Sequence, residues 1–244
     1  MPLATRLSAT SDFGSPHGVT EQSKNVIQLW HLTYFIAIPL GLLVLGLIAW
    51  SVVRDRVRVG NDRRPAQFQY HLPLEVAYTV IPLVLVAIVF AFMYGAENKE
   101  NRLSKTPALV VGVQGFQWGW RFTYPNGHQD VGTYAGEQDI NSTAALPVLH
   151  LPARETVQLN LQADDVNHSF YVPEFLFKRD LIPGVDNKVD FNITTTGRWI
   201  GECTQLCGTY HAYMRFMVDV MPADQFNSWM SGQAPGSITQ ARGA

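Results

Sequence analysis

The sequence predicts a chain in two parts: a membrane hairpin of two transmembrane α-helices, then an all-β domain built as a sandwich or barrel. Three observations carry this. Two long uncharged runs lie between residues 30 and 95, short segments of alternating apolarity fill 107–221, and no long helical periodicity interrupts those segments. Charged residues are only 16% of the 244, with a net charge of −2. That balance says little about partners, and no nucleic acid is expected among them.

Taken in order, residues 1–28 are polar and rich in Ser, Thr and Gly. They lack the apolar core of a secretory signal and read as a tail. The membrane part is assigned to 29–97. Leu32–Val53 holds 22 residues without a charge and Val76–Tyr94 holds 19, each long enough to cross a bilayer as a helix. Trp30, Tyr34, Trp50, Tyr78 and Tyr94 lie near the ends of these runs, where amphipathic rings favour the headgroup level. Pro39 and Pro82 fall mid-span and are expected to be tolerated. The short connection carries Arg54, Arg56, Arg58, Arg63 and Arg64, so its bend is expected inside the cell, with both termini and the β domain outside. Glu75, at the inner edge of the second span, is either a solvated interfacial carboxylate or part of a proton route.

The domain from 98 to 232 reads as β. Val157, Leu159 and Leu161 share one strand face, as do Val189, Phe191 and Ile193, and again Phe216, Val218 and Val220. Turn residues at 125–127, 151–154, 182–184 and 195–198 separate such stretches, and antiparallel pairing is the natural reading. A short helix with Pro222 at its first position closes the domain, and 233–244 read as a flexible tail.

The only two cysteines lie in "GECTQLCGTYHAYM", residues 201–214, where Cys203, Cys207, His211 and Met214 follow at intervals of four, four and three. A disulfide is permitted on an oxidising outer face but leaves His211 and Met214 unexplained. Zinc accepts the thiolates and the imidazole, whereas a thioether is an improbable zinc ligand. Copper favours soft thiolate and thioether and also takes imidazole. Two thiolates in one loop can bridge two copper ions, each taking a histidine, and the second imidazole must then come from elsewhere. His168, in "DDVNHSFYVPEF", is the best placed; His17, His31 and His71 belong to the tail or membrane part, His128 to a turn, and His150 to the loop before Pro152.

These residues together resemble subunit II of the haem–copper cytochrome c oxidases, over nearly everything from Trp30 to Met230. The resemblance implies a two-helix anchor and a cupredoxin-like Greek-key sandwich carrying a dinuclear copper A centre. It implies His168, Cys203, Cys207, His211 and Met214 as side-chain ligands and the carbonyl of Gln205 as a sixth. "GFQWGWRFTY", residues 115–124, resembles the family's aromatic segment and makes Trp118 the exposed ring at which electrons arrive, while Trp120 and Phe122 read as sheet core. "LPLEVAYTVIP" resembles the start of the family's second helix, and so casts Glu75 in a proton-uptake route.

The implied function is the electron-accepting subunit of a proton-pumping terminal oxidase in a bacterial cell membrane. It would take electrons from cytochrome c and pass them to haem in subunit I, among other oxidase subunits, for reduction of oxygen to water. No complete active site is expected in this chain alone. Asp164, Asp165 and Glu174 are candidate contacts for a basic cytochrome. One departure stands out: many members place glutamate between the cysteines, where it reaches magnesium at the junction with subunit I. Here Gln205 leaves only a neutral amide, with Glu202 as a weak substitute, and Val185 stands where a basic residue often follows the "IPG" turn.

Overall fold

Why the two apolar runs become helices follows from solvent: in hydrocarbon every backbone N–H and C=O must be satisfied within the segment. The computed structural model describes residues 14–56, 67, 69–134 and 146–241. The helices are α1 (Ser23–Arg54) and α2 (Leu72–Glu100), both long and apolar enough to span a membrane, with no residue of either apolar window buried inside the chain. Both continue through their prolines, Pro39 and Pro82. Of the basic loop, Arg58, Arg63 and Arg64 lie outside the described residues. Two units are distinguished, one from Ile27 to Glu97, the other taking in the chain up to Val26 and again from Asn98 onward.

The second unit is a sandwich. One sheet contains β1 (Leu109–Phe116), β2 (Gly119–Thr123), β3 (Gln129–Thr133), β5 (Thr156–Ala163), β8 (Asn187–Asn192) and β11 (Ile238–Gln240), in the order β11-β3-β2-β1-β5-β8. The other contains β4 (Val148–Pro152), β6 (His168–Val172), β7 (Phe177–Leu181), β9 (Gly197–Cys203) and β10 (Arg215–Met221), in the order β4-β10-β9-β6-β7. The pairing is mixed, not purely antiparallel: β1–β5, β4–β10 and β3–β11 run parallel. Parallel neighbours need a crossover. Between β1 and β5 the chain supplies one by visiting the opposite sheet as β4.

The alternating residues meet between the sheets. Val157, Leu159 and Leu161, then Val189 and Phe191, then Phe216, Val218 and Val220 are all buried, as are Trp120 and Phe122. Each such side chain contributes about 1.5–3 kcal/mol of apolar burial. His150 lies within β4, not in a loop before Pro152.

The described part of each tail is more ordered than its composition indicates. Val19 N–H donates to Glu174 O at 3.0 Å, Thr194 N–H to Val19 O at 2.8 Å, and Glu21 N–H to Asn192 O at 2.9 Å, so this polar segment is pinned to the sandwich. Ser23 N–H donates to Thr20 Oγ1 and Thr20 N–H to Ser23 Oγ, a reciprocal cap that starts α1 well before residue 29. At the other end β11 pairs with β3, within the stretch expected to be flexible. The closing helix, α3 (Ala223–Gly232), begins after Pro222, which caps it instead of opening it.

Candidate metal centre

A strand end, a strand start and one loop build the site. His168 opens β6, Cys203 closes β9, and Met214 immediately precedes β10. Cys203 N–H donates to Met214 O at 3.0 Å, which closes the neck of the loop that holds Cys207 and His211. A short 3-10 turn, His211–Tyr213, sets the second imidazole. Behind His168 the backbone of β1 passes so closely that a Cβ on Gly115 would stand 3.1 Å from the imidazole Cγ.

All six donors expected from the sequence are brought together. Cys203 Sγ lies 3.9 Å from His168 Nδ1, 3.8 Å from Cys207 Sγ and 3.3 Å from the Gln205 carbonyl oxygen. Cys207 Sγ lies 3.5 Å from His211 Nδ1 and 3.8 Å from Met214 Sδ. The His168, Cys203 and Cys207 donor atoms fit within 4.8 Å of one another, and all three residues are buried. The cysteines are free thiols, far beyond the roughly 2.05 Å of a disulfide. Two sulfurs, a thioether, two imidazoles and a carbonyl form a soft, sulfur-rich set that suits copper better than zinc.

The surroundings act on the two thiols in opposite directions. Burial alone raises the Cys203 thiol, but hydrogen bonds from His168 and from the backbone of Gln205 and Ser169 outweigh it and hold Cys203 below the usual thiol range. Burial and the charge of Cys203 push Cys207 up to about 12. Burial lowers His168, yet Cys203 and Asp165 more than reverse that and raise it. A metal held by both sulfurs would have to displace the proton on Cys207.

Trp118 is half-buried, not an exposed ring. Its Nε1–H donates to the Cys207 carbonyl at 3.2 Å, and its ring packs T-shaped with Tyr210, the centroids 4.9 Å apart. Gln117 Nε2 donates to the same carbonyl at 2.8 Å, a contact no local signal announces. Trp120 and Phe122 are core, with Trp120 Nε1–H on Met214 O at 3.3 Å.

Among the acids, Asp164 is exposed and pairs with Arg121 at 3.3 Å, Glu174 is half-buried, and Asp165 turns back onto His168. The D-x-x-H spacing of Asp165 and His168 was a legible signal for that contact. Glu75 is half-buried and accepts the His71 N–H at 2.9 Å while His71 Nδ1 accepts the Leu74 N–H, so it caps its own helix.

The family model for "Cytochrome C oxidase subunit II, periplasmic domain" matches residues 109–221. The probable cytochrome c oxidase subunit 2 of Streptomyces avermitilis is 33% identical over 98% of this chain and 88% of its own length. Cytochrome c oxidase subunit 2 of Mycobacterium tuberculosis is 30% identical over 91% of this chain and 75% of its own. The solved periplasmic domain of cytochrome oxidase subunit II from Bradyrhizobium japonicum is 29% identical, with a TM-score of 0.47, and covers 53% of this chain and 95% of that one. With a sandwich of the cupredoxin type and a Cys/His cluster of copper-binding chemistry, the chain belongs to the cytochrome c oxidase subunit II family.

Proposed function

We propose that this chain is the electron-accepting subunit of a proton-pumping haem–copper oxidase, taking electrons from a cytochrome c and delivering them to haem in subunit I, where oxygen becomes water. The carrying observation is the six-donor cluster, whose neighbouring atoms stand 3.3–3.9 Å apart. Two copper ions held there by His168, Cys203, Gln205 O, Cys207, His211 and Met214 supply a one-electron couple. The chain's own part is to hold those donors still: the loop neck is hydrogen-bonded, the sulfurs are buried, and the sandwich core packs directly beneath. Trp118, half-buried and bonded to the backbone of a ligand, is the proposed point of electron arrival.

As a member of an oxidase subunit family with two membrane-capable helices, the chain is a membrane protein with an outer domain. We place both termini and the β domain on the outer face of a bacterial cell membrane, on the strength of the basic connection around Arg54 and Arg56. The helices then pack against subunit I within the bilayer, and Glu75 stands at the inner edge as the proposed start of a proton-uptake route. Gln205 gives copper its carbonyl, whereas a magnesium ion at the subunit junction would find a neutral amide there instead of a carboxylate. The test is copper content with visible and paramagnetic resonance spectra of the full chain in detergent. Two ions sharing one unpaired electron are expected; one ion, or none, overturns the reading.

A further inference from the structure

Asp165 sits at a junction that neither a surface acid nor a docking contact requires. Its Oδ1 accepts the Nε2–H of His168 at 2.8 Å and the Val166 N–H at 2.7 Å, while Oδ2 accepts the backbone N–H of Gln117 at 2.7 Å. Gln117 Nε2 and Trp118 Nε1 both donate to the Cys207 carbonyl. A continuous hydrogen-bonded path therefore runs from one proposed copper ligand, His168, through Asp165 and Gln117 to the backbone of another, Cys207.

We propose that Asp165 is a positioning residue of the copper centre: one oxygen fixes the His168 ring with its proton on Nε2 and Nδ1 turned to Cys203, and the other ties the Gln117–Trp118 segment to the same frame. This rests on the copper reading above. A histidine whose outer N–H bonds a carboxylate is held in one tautomer and one plane and is a more basic ligand. A more basic ligand stabilises the oxidised ions, so losing the carboxylate raises the reduction potential. The same loss frees the amide of Gln117. Asp164, the adjacent acid, provides the control. It carries the same charge, but its bonds go to Arg121 at 3.3 Å and Gln114 at 3.4 Å.

The experiment uses the full chain in detergent, with Asp165→Ala, Asp165→Asn and Asp164→Asn. Two quantities are measured: the potential of the copper-loaded protein, and hydrogen exchange at the Gln117 amide with and without copper. For Asp165→Ala a tenfold shift toward the reduced form is expected, about 59 mV for one electron, with Gln117 exchanging at least tenfold faster in both states. Asp165→Asn keeps an acceptor oxygen and is expected to restore most of the protection with a smaller potential shift. Asp164→Asn moves neither. Equal behaviour of Asp165→Ala and Asp164→Asn in both readouts overturns the proposal, as does an Asn variant no better protected than the Ala variant. If the parent chain lacks the two-ion signal, the functional reading fails instead, and exchange at Gln117 in the metal-free protein still decides the Asp165 contact.

Discussion

Gly201→Ala is the most severe small change the sandwich offers. Gly201 of β9 sits directly across from Phe216 of β10. A methyl group there would stand 2.1, 2.3 and 2.6 Å from Cζ, Cε2 and Cε1 of that ring. Carbon atoms rest at about 3.5–4.0 Å, so all three atoms overlap by about 0.9 Å or more. The ring has nowhere to go. Trp120, Phe170 and Phe122 surround it with centroids at 4.9, 5.2 and 5.5 Å, and all four rings are fully buried. Overpacking alone costs about 1–3 kcal/mol; expelling the ring approaches the about 3–5 kcal/mol of a Phe truncation. A loss of about 3–5 kcal/mol is expected, or an apparent Tm lower by about 6–20 °C for a unit of this size. Thermal unfolding of the full chain in detergent, followed by near-ultraviolet circular dichroism, measures it. Phe216→Leu removes the three clashing carbons, so the double variant should be more stable than Gly201→Ala alone, with a coupling above about 1 kcal/mol. Strict additivity, or a single-variant cost under about 1 kcal/mol, would refute the steric reasoning.

Three further outcomes are expected. Burial lowers His150 to about 4 and raises Asp130 to about 6, their facing atoms lying 4.0 Å apart. The lowered histidine loses stability as pH falls below about 6.5, and the raised aspartate loses it as pH rises from about 4 to 6. These two contributions nearly cancel between pH 4 and 6, so relative to the parent in chemical unfolding Asp130→Asn gains stability with rising pH there and His150→Gln loses it. Stripping copper exposes two thiols 3.8 Å apart to oxidation; thiol titration should fall to zero in air, and copper uptake should return only after a reductant. Trp118→Phe keeps the ring but loses the bond to Cys207 O, costing about 0.5–1.5 kcal/mol. Stopped-flow mixing of the assembled oxidase with reduced cytochrome c should then show slower copper reduction with an unchanged copper spectrum.

Much of the site was legible because most of its donor side chains are close in the chain. Cys203, Cys207, His211 and Met214 lie within twelve residues, and their spacing favours a soft-metal loop over a disulfide or a zinc site. His168 was reachable by elimination among seven histidines. Gln117 was not: its bond to Cys207 joins residues 90 apart, and nothing local to "GFQWGW" announces it. Asp165 was visible, but its bond to His168 was not foreseen, since an exposed acid beside another acid reads as surface until His168 is seen to turn its ring onto it. The ordered tails were hidden for a similar reason. Polar composition describes what a segment lacks for core formation, and both tails are held by backbone hydrogen bonds to strand edges or loops of the sandwich, which composition does not encode.

By itself the sequence determined the apolar runs that become helices, the strand faces and the close spacing of Cys203, Cys207, His211 and Met214 in one loop. Each is a property of contiguous chain: absence of charge over a bilayer's width, a period of two, and a ligand spacing. Only the tertiary structure decided which strands run parallel, which acid holds His168, and that Trp118 leans on the backbone of Cys207. Those contacts join segments far apart in sequence, or depend on which way a side chain turns once its neighbours are in place.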